Sequence, residues 1–180
     1  FARRKNITFP LLTDPKSEVI RAFGVLNTSV PFDPAWSGAA YAGILIVDRN
    51  GIVRSRYFEE AYLERHSAPS ILLREFGSAA GTRETSVKTD QLQLKYYSTD
   101  DVVRSGLDMT LVADFDLKPK MHVYAPEVQH YIPIQLTLEP SAYYAAHPAD
   151  YPKPETLYLA PIKETVPVYQ GKFRITQDVT

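Results

Sequence analysis

The chain has 180 residues, 44% of them apolar and 23% charged, with a formal net charge of −1; this balance permits a buried core in one or two domains and excludes a mostly disordered chain. Scattered Lys and Arg at near-neutral charge give no electrostatic footprint for nucleic acid or an anionic membrane, and no apolar run approaches the roughly 20 residues of a bilayer span. The chain contains no cysteine, which excludes disulfides and thiol chemistry within it.

Residues 1–77 mix helix and strand signals. Phe1-Ala2-Arg3-Arg4-Lys5 reads like the end of a helix, and Val179-Thr180 stops inside an alternating run. Both ends are therefore expected to be cut, and the lack of a basic-then-apolar leader is uninformative. Phe9-Pro10-Leu11-Leu12 is a short apolar run ending at Thr13-Asp14-Pro15. Asp14 can cap a helix with Pro15 at its first position, where the missing N–H costs nothing. Val19, Ile20 and Phe23 then share one helical face, and Gly24 sits where a left-handed terminator is wanted.

A turn-rich stretch with Pro31 and Pro34 runs to Gly38. Tyr41 to Val47 is nearly unbroken apolar sequence, as expected for a strand covered on both faces. Asp48-Arg49-Asn50-Gly51 is a turn signal, and Ile52 to Phe58, carrying Arg54 and Arg56, reads as a more exposed partner strand in an antiparallel hairpin. Ser67 can cap a last helix with Ile71, Leu72 and Phe76 inward and Gly77 at its end. Residues 78–90 are small and polar, with Val87 the only large apolar side chain, and read as a linker.

From residue 91 the apolar period changes to two. Leu92, Leu94 and Tyr96 alternate with polar residues, as do Met109 to Phe115, Ile132 to Leu138 and Phe173 to Val179; shorter strands are expected at Met121 to Tyr124 and Thr156 to Leu159. One apolar and one polar face per strand is the pattern of an antiparallel β-sandwich. Pro140, Pro148, Pro152, Pro154, Pro161 and Pro167 put the intervening stretches in extended loops.

Phe9 to Pro15 followed by Glu18 to Val25 resembles the second half of the peroxiredoxin-like (AhpC/TSA, redoxin) family, with its "FPLLSD" strand and its helix ending in "YGV". Ile44 to Val53 resembles the family's "TFVIDxxGxI" hairpin. The resemblance covers about residues 1–76 and implies a partial thioredoxin-like α/β domain. Met121-His122-Val123-Tyr124-Ala125-Pro126 resembles the "WHVYAP"-like segment of the N-terminal domain of the disulfide interchange protein DsbD, an immunoglobulin-like sandwich. That second resemblance covers about residues 88–180 and lacks the family's last strands. Together they imply 1–77 as a thioredoxin-like part, 78–90 as linker and 91–180 as an incomplete sandwich. They also imply thiol–disulfide or peroxide chemistry, an extracytoplasmic location and thiol or disulfide protein partners.

The reactive cysteines of both families would lie outside this chain, ahead of Phe1 or beyond Thr180. No side chain here replaces a thiolate of lowered pKa, so the chain is expected to be inactive, with no catalytic, cofactor-binding or metal-binding residue. Thioredoxin relatives often carry Pro-Gly-Thr, its proline commonly cis, where Ala42-Gly43-Ile44 stands. A non-proline cis bond costs roughly 2.5–4 kcal/mol, so a trans bond is expected at Ala42. This departure favours the second reading, a non-catalytic protein-binding sandwich on a degenerate thioredoxin-like scaffold.

Several other constellations carry bland readings. Arg21, Arg54 and Arg56 can stabilise a thiolate but read as solvated charges. His66, His122, His130 and His147 have no metal-ligand spacing, and His122 is expected on the polar side of its strand. Asp48 to Gly51 has the outline of a calcium loop with the wrong glycine offset. Glu59-Glu60, adjacent in a strand, would point to opposite faces. Asn6-Ile7-Thr8 and Asn27-Thr28-Ser29 are formal glycosylation sequons. Tyr143-Tyr144 and Tyr151-Pro152-Lys153-Pro154 offer either a contact surface or ordinary loop packing.

Overall fold

The computed structural model describes residues 2–28, 38–58, 65–77 and 83–180. It is mostly antiparallel β-structure with few helices, and it divides into two compact units, Phe1–Tyr62 and Leu63–Thr180. No helix among the described residues is long and apolar enough to cross a membrane.

The first unit holds a 3₁₀ turn (Arg3–Lys5), a five-residue helix α1 (Glu18–Ala22) and a two-stranded antiparallel sheet, β1 (Gly43–Val47) and β2 (Val53–Phe58). The helix starts three residues later than expected, yet Asp14 still caps it. Its carboxylate accepts from the Glu18 and Ile20 N–H groups at 3.0 and 2.9 Å. Gly24 ends the turn at φ 68°. The hairpin forms at the expected turn, and its register puts Leu45 opposite Arg56 and Gly43 opposite Phe58. Gly43 is required there, because a Cβ would fall on the Phe58 ring. The expectation that β1 is covered on both faces is corrected: Ile44 and Val47 are exposed, since the sheet has two strands and no third layer of described residues lies over it. The α/β layering of a thioredoxin-like domain is not displayed by these residues. The Pro31–Pro34 stretch lies outside the described residues.

The second unit contains β3 (Arg65–His66), α2 (Ala68–Phe76), β4 (Thr85–Lys88), β5 (Leu92–Ser98), β6 (Leu107–Leu117), β7 (His122–Tyr124), β8 (Ala146–Asp150), β9 (Glu155–Leu159), β10 (Glu164–Gln170) and β11 (Lys172–Val179). One sheet runs β4-β5-β6-β11-β8, with β3 adding a short parallel pairing to β6; the other runs β7-β10-β9. Buried side chains come from both: Ala113, Leu117, Ile175 and Val179 from the larger, Val166 and Val168 from the smaller. Tyr169 stacks on Phe173 at 4.9 Å and Phe173 on Phe115 at 4.7 Å, tying the two sheets together.

Four expectations are corrected here. The helix expected to close the first half belongs to the second unit. It buries Ile71 and Leu73 and leaves Leu72 and Phe76 exposed. Residues 85–88 of the expected linker are a strand paired with β5, while 78–82 lie outside the described residues. Ile132 to Leu138 form no strand, only a single bridge from Pro133 to Tyr124, and Ile132 is 91% exposed; Pro133 has no N–H to continue a ladder. Pro148 and Pro167 lie in strands, not loops. Pro148 sits on the edge strand β8, where the pairing with β11 shifts register around it, as edge proline requires. Pro167 is in β10, and its carbonyl accepts from Ala125 N at 3.0 Å. The N–H that proline lacks would face the same β7 side, so the ladder to β9 on the other side of the strand loses no donor.

Candidate functional site

Of the residues singled out in the first unit, Asp48, Asn50, Gly51 and Arg54 lie at the β1–β2 turn. Asp48 organises it: Oδ1 accepts from the Asn50 and Ile52 N–H groups at 2.8 and 2.9 Å, and Oδ2 takes Arg54 Nε at 2.9 Å and Nη2 at 2.7 Å. The Ile52 N–H, working against desolvation and with help from Asn50 and Arg54, holds the Asp48 carboxyl below its ordinary range. Its oxygens are therefore committed to the turn and are unsuited to a calcium loop. Arg54 is engaged by the same carboxylate. Arg21 donates to the Lys16 carbonyl at 2.9 Å. Arg56 is exposed on the face that carries Leu45. The three arginines do not converge. No cis peptide occurs among the described residues, and Glu59-Glu60 lies outside them.

In the second unit, helix α2 sits on the polar face of β6 through hydroxyls. Ser67 caps the helix by accepting from Ser70 N at 3.2 Å and donates to Asp100 Oδ2 at 2.6 Å. Ser70, fully buried, meets Thr99 at 3.1 Å and Thr110 at 2.9 Å, and Thr110 donates to Asp178 at 2.7 Å. Asp178 also pairs with Arg74. Apolar periodicity carries no trace of this cluster. The one available signal was the density of Ser, Thr and Asp around residues 67–70 and 98–101.

His66 and His147, which share no metal-ligand spacing in the sequence, are linked through Asp108 and Thr180. His66 Nδ1 lies 3.6 Å from Asp108 Oδ2, Thr180 Oγ1 donates to Asp108 Oδ1 at 3.0 Å, and His147 Nε2 meets the same hydroxyl. No group of three or more His, Asp or Glu side chains able to hold a metal occurs among the described residues. His122, expected on a polar face, is half-buried and packs edge-on to Tyr124 at 5.3 Å, which stacks on Tyr131 at 4.5 Å. The Tyr131 hydroxyl donates to Glu164 at 2.6 Å, and this hydrogen bond to a carboxylate pushes its pKa up to about 12.

An open groove of about 480 Å³ runs over the polar face of the larger sheet, lined among others by Gln93, Lys95, Asp114, Asp116, Lys172 and Arg174. Arg174 forms a two-pronged bond with Asp114 at 2.6 and 2.9 Å and donates to the Gly77 carbonyl. Lys172 faces Asp116, and Lys95 meets Glu84 at 2.9 Å. The groove's cations are neutralised by neighbouring carboxylates. Of the loop tyrosines, Tyr143 is 92% exposed. Tyr144 donates to the Glu139 carbonyl and Tyr151 accepts from Leu136 N, so both pack within the loop.

Residues 1–56 match the model of the AhpC/TSA family. The match spans α1, β1, the Asp48 turn and the first four residues of β2, and supports a thioredoxin-like redoxin relationship for this segment. It ends short of the 1–76 that the motifs suggested, and it excludes α2, which packs in the other unit. No curated protein and no solved structure matches the chain.

Proposed function

We propose that this chain is part of a thiol-redox protein: residues 1–62 supply the later portion of a redoxin-type domain, and residues 63–180 form a DsbD-type, immunoglobulin-like module that docks thiol or disulfide partners. The reading rests on the AhpC/TSA match over residues 1–56, which falls on the hairpin and on the helix preceding it. With no thiol in its 180 residues, the chain relies on a cysteine supplied from outside them. The parent protein acts outside the cytoplasm. Two results test this. The coding sequence upstream of Phe1 is expected to encode a cysteine about one βα unit earlier, and an uninterrupted upstream reading frame without one contradicts the proposal. The 180-residue chain is expected to be blank in thiol-peroxidase and insulin-reduction assays, whereas cysteine-type turnover by it would overturn the assignment.

A second reading, a partner-binding module on a degenerate scaffold, is favoured by Ala42-Gly43-Ile44 and by the exposure of Tyr143. An upstream sequence that lacks cysteine but retains the redoxin pattern selects it.

A further inference from the structure

The three asparagines of the chain are Asn6, Asn27 and Asn50. Asn6 precedes Ile7 and Asn27 precedes Thr28, both branched at Cβ, so the following amide nitrogen is shielded from the asparagine side chain. Asn50 precedes Gly51, whose amide has no side chain beside it. Asn50 and Gly51 are exposed at the tip of the β1–β2 hairpin, and Gly51 stands at φ 80° with open space where a Cβ would point. We propose that Asn50 is a site of spontaneous deamidation to aspartate and isoaspartate, held in check by the Asp48 carboxylate.

The chemistry needs only water. The Gly51 nitrogen gives up its proton to solvent and attacks Cγ of Asn50. The N–Cγ bond forms, the Cγ–Nδ2 bond breaks, and the side-chain nitrogen leaves as ammonia. Water then opens the resulting five-membered imide at either carbonyl, giving aspartate or isoaspartate. One water is consumed and one ammonia released, with no change of oxidation state.

The restraint is visible in the turn. The attacking nitrogen already donates to the Asp48 carbonyl at 3.0 Å. The Asp48 carboxylate grips the N–H groups on either side, those of Asn50 and Ile52. Attack requires this turn to open, and Asp48 sets how often it does. Isoaspartate at position 50 inserts a methylene into the backbone of a tight turn and adds a carboxylate beside Asp48, so the modified hairpin loses its register.

The test is peptide mapping by mass spectrometry of the intact chain after incubation at mildly alkaline pH, with isoaspartate separated from aspartate by chromatography. Acid is expected to accumulate at position 50 about tenfold faster or more than at positions 6 and 27, as roughly 1.4 kcal/mol off the barrier gives. Asp48→Ala is expected to speed the reaction several-fold in buffer and to leave it unchanged in denaturant, where the turn no longer restrains it. Because the denaturant arm needs no folding, a poorly folding variant still reads out. An Asn50 amide that outlasts or equals those of Asn6 and Asn27 overturns the site, and equal buffer rates for the parent chain and Asp48→Ala overturn the restraint.

Discussion

The two units use similar strand-forming residues to opposite effect. In residues 63–180, Ile175, Val168 and Val112 are each at most 2% exposed, because each sheet has another element over one face. In residues 1–62, Ser17 is the only buried residue among those described, while Phe9 is 65% and Leu12 92% exposed. Gly43–Val47 is as apolar as any strand in the chain, but its sheet has two strands, and an isolated hairpin is marginal in water. Apolar content sets how much burial a segment can gain, and the number of layers sets how much it does gain. Exposed apolar side chains of this kind mark a surface prone to association.

The sharpest way to break this contrast is a matched pair of truncations. Ile175→Ala, in the core shared by the two sheets, is expected to cost about 2–5 kcal/mol in denaturant unfolding of the second unit. Ile44→Ala, on the exposed hairpin, is expected to stay within about 0.5 kcal/mol. Equal costs would mean that the hairpin has a core after all.

Polar burial makes the next largest difference. Thr110→Val keeps the shape of the side chain but removes one hydroxyl partner each from Ser70 and Asp178, at a cost of about 1–3 kcal/mol. No described site in the first unit has such a network to lose. Within the first unit, Gly43→Ala sets a methyl against the Phe58 ring and is expected to weaken the hairpin by about 1–3 kcal/mol. Pairing it with Phe58→Leu should recover part of that loss, seen as non-additivity in a double-mutant cycle read from β1–β2 amide shifts.

Much of the local grammar was readable beforehand. Ser67 and Gly77 bracket α2 as their residue types dictate, Asp14 caps α1 even though the helix begins later, and the Asp48–Gly51 turn is where it was expected. The face and destination of α2 were not readable. Ser70 and Leu73 point inward because the sheet beneath presents Thr99, Thr110 and Asp178, a polar docking surface without apolar periodicity. Strands β8 and β10 were hidden by their prolines, which only the pairing geometry makes tolerable. Ile132 to Leu138 has an alternating pattern without a strand, because a pattern cannot supply the N–H that Pro133 lacks. For the candidate site, the hairpin residues and their family resemblance were legible, whereas the link between His66 and His147 through Asp108 and Thr180 exists only in three dimensions.

The smallest effect expected is a pH dependence confined to the first unit. The carboxyl of Asp48 is held below its ordinary value in the folded hairpin. Its contribution is therefore fully present above the unfolded carboxylate value, about pH 4, and is lost as pH falls through the lower folded value. Amide shifts of Asn50 and Ile52 are expected to report this loss in acid, and Asp48→Asn is expected to abolish it. A hairpin that loosens instead as pH rises from 5 to 8 would place the controlling group elsewhere.

Hydrogen exchange on the intact chain, followed peptide by peptide, tests the contrast between the units most directly. Strong protection is expected through β6, β10 and β11, and exchange faster by orders of magnitude through β1 and β2. Protection of the β1–β2 hairpin equal to that of β6 would show that residues 1–62 close a core of their own, and the contrast would fail.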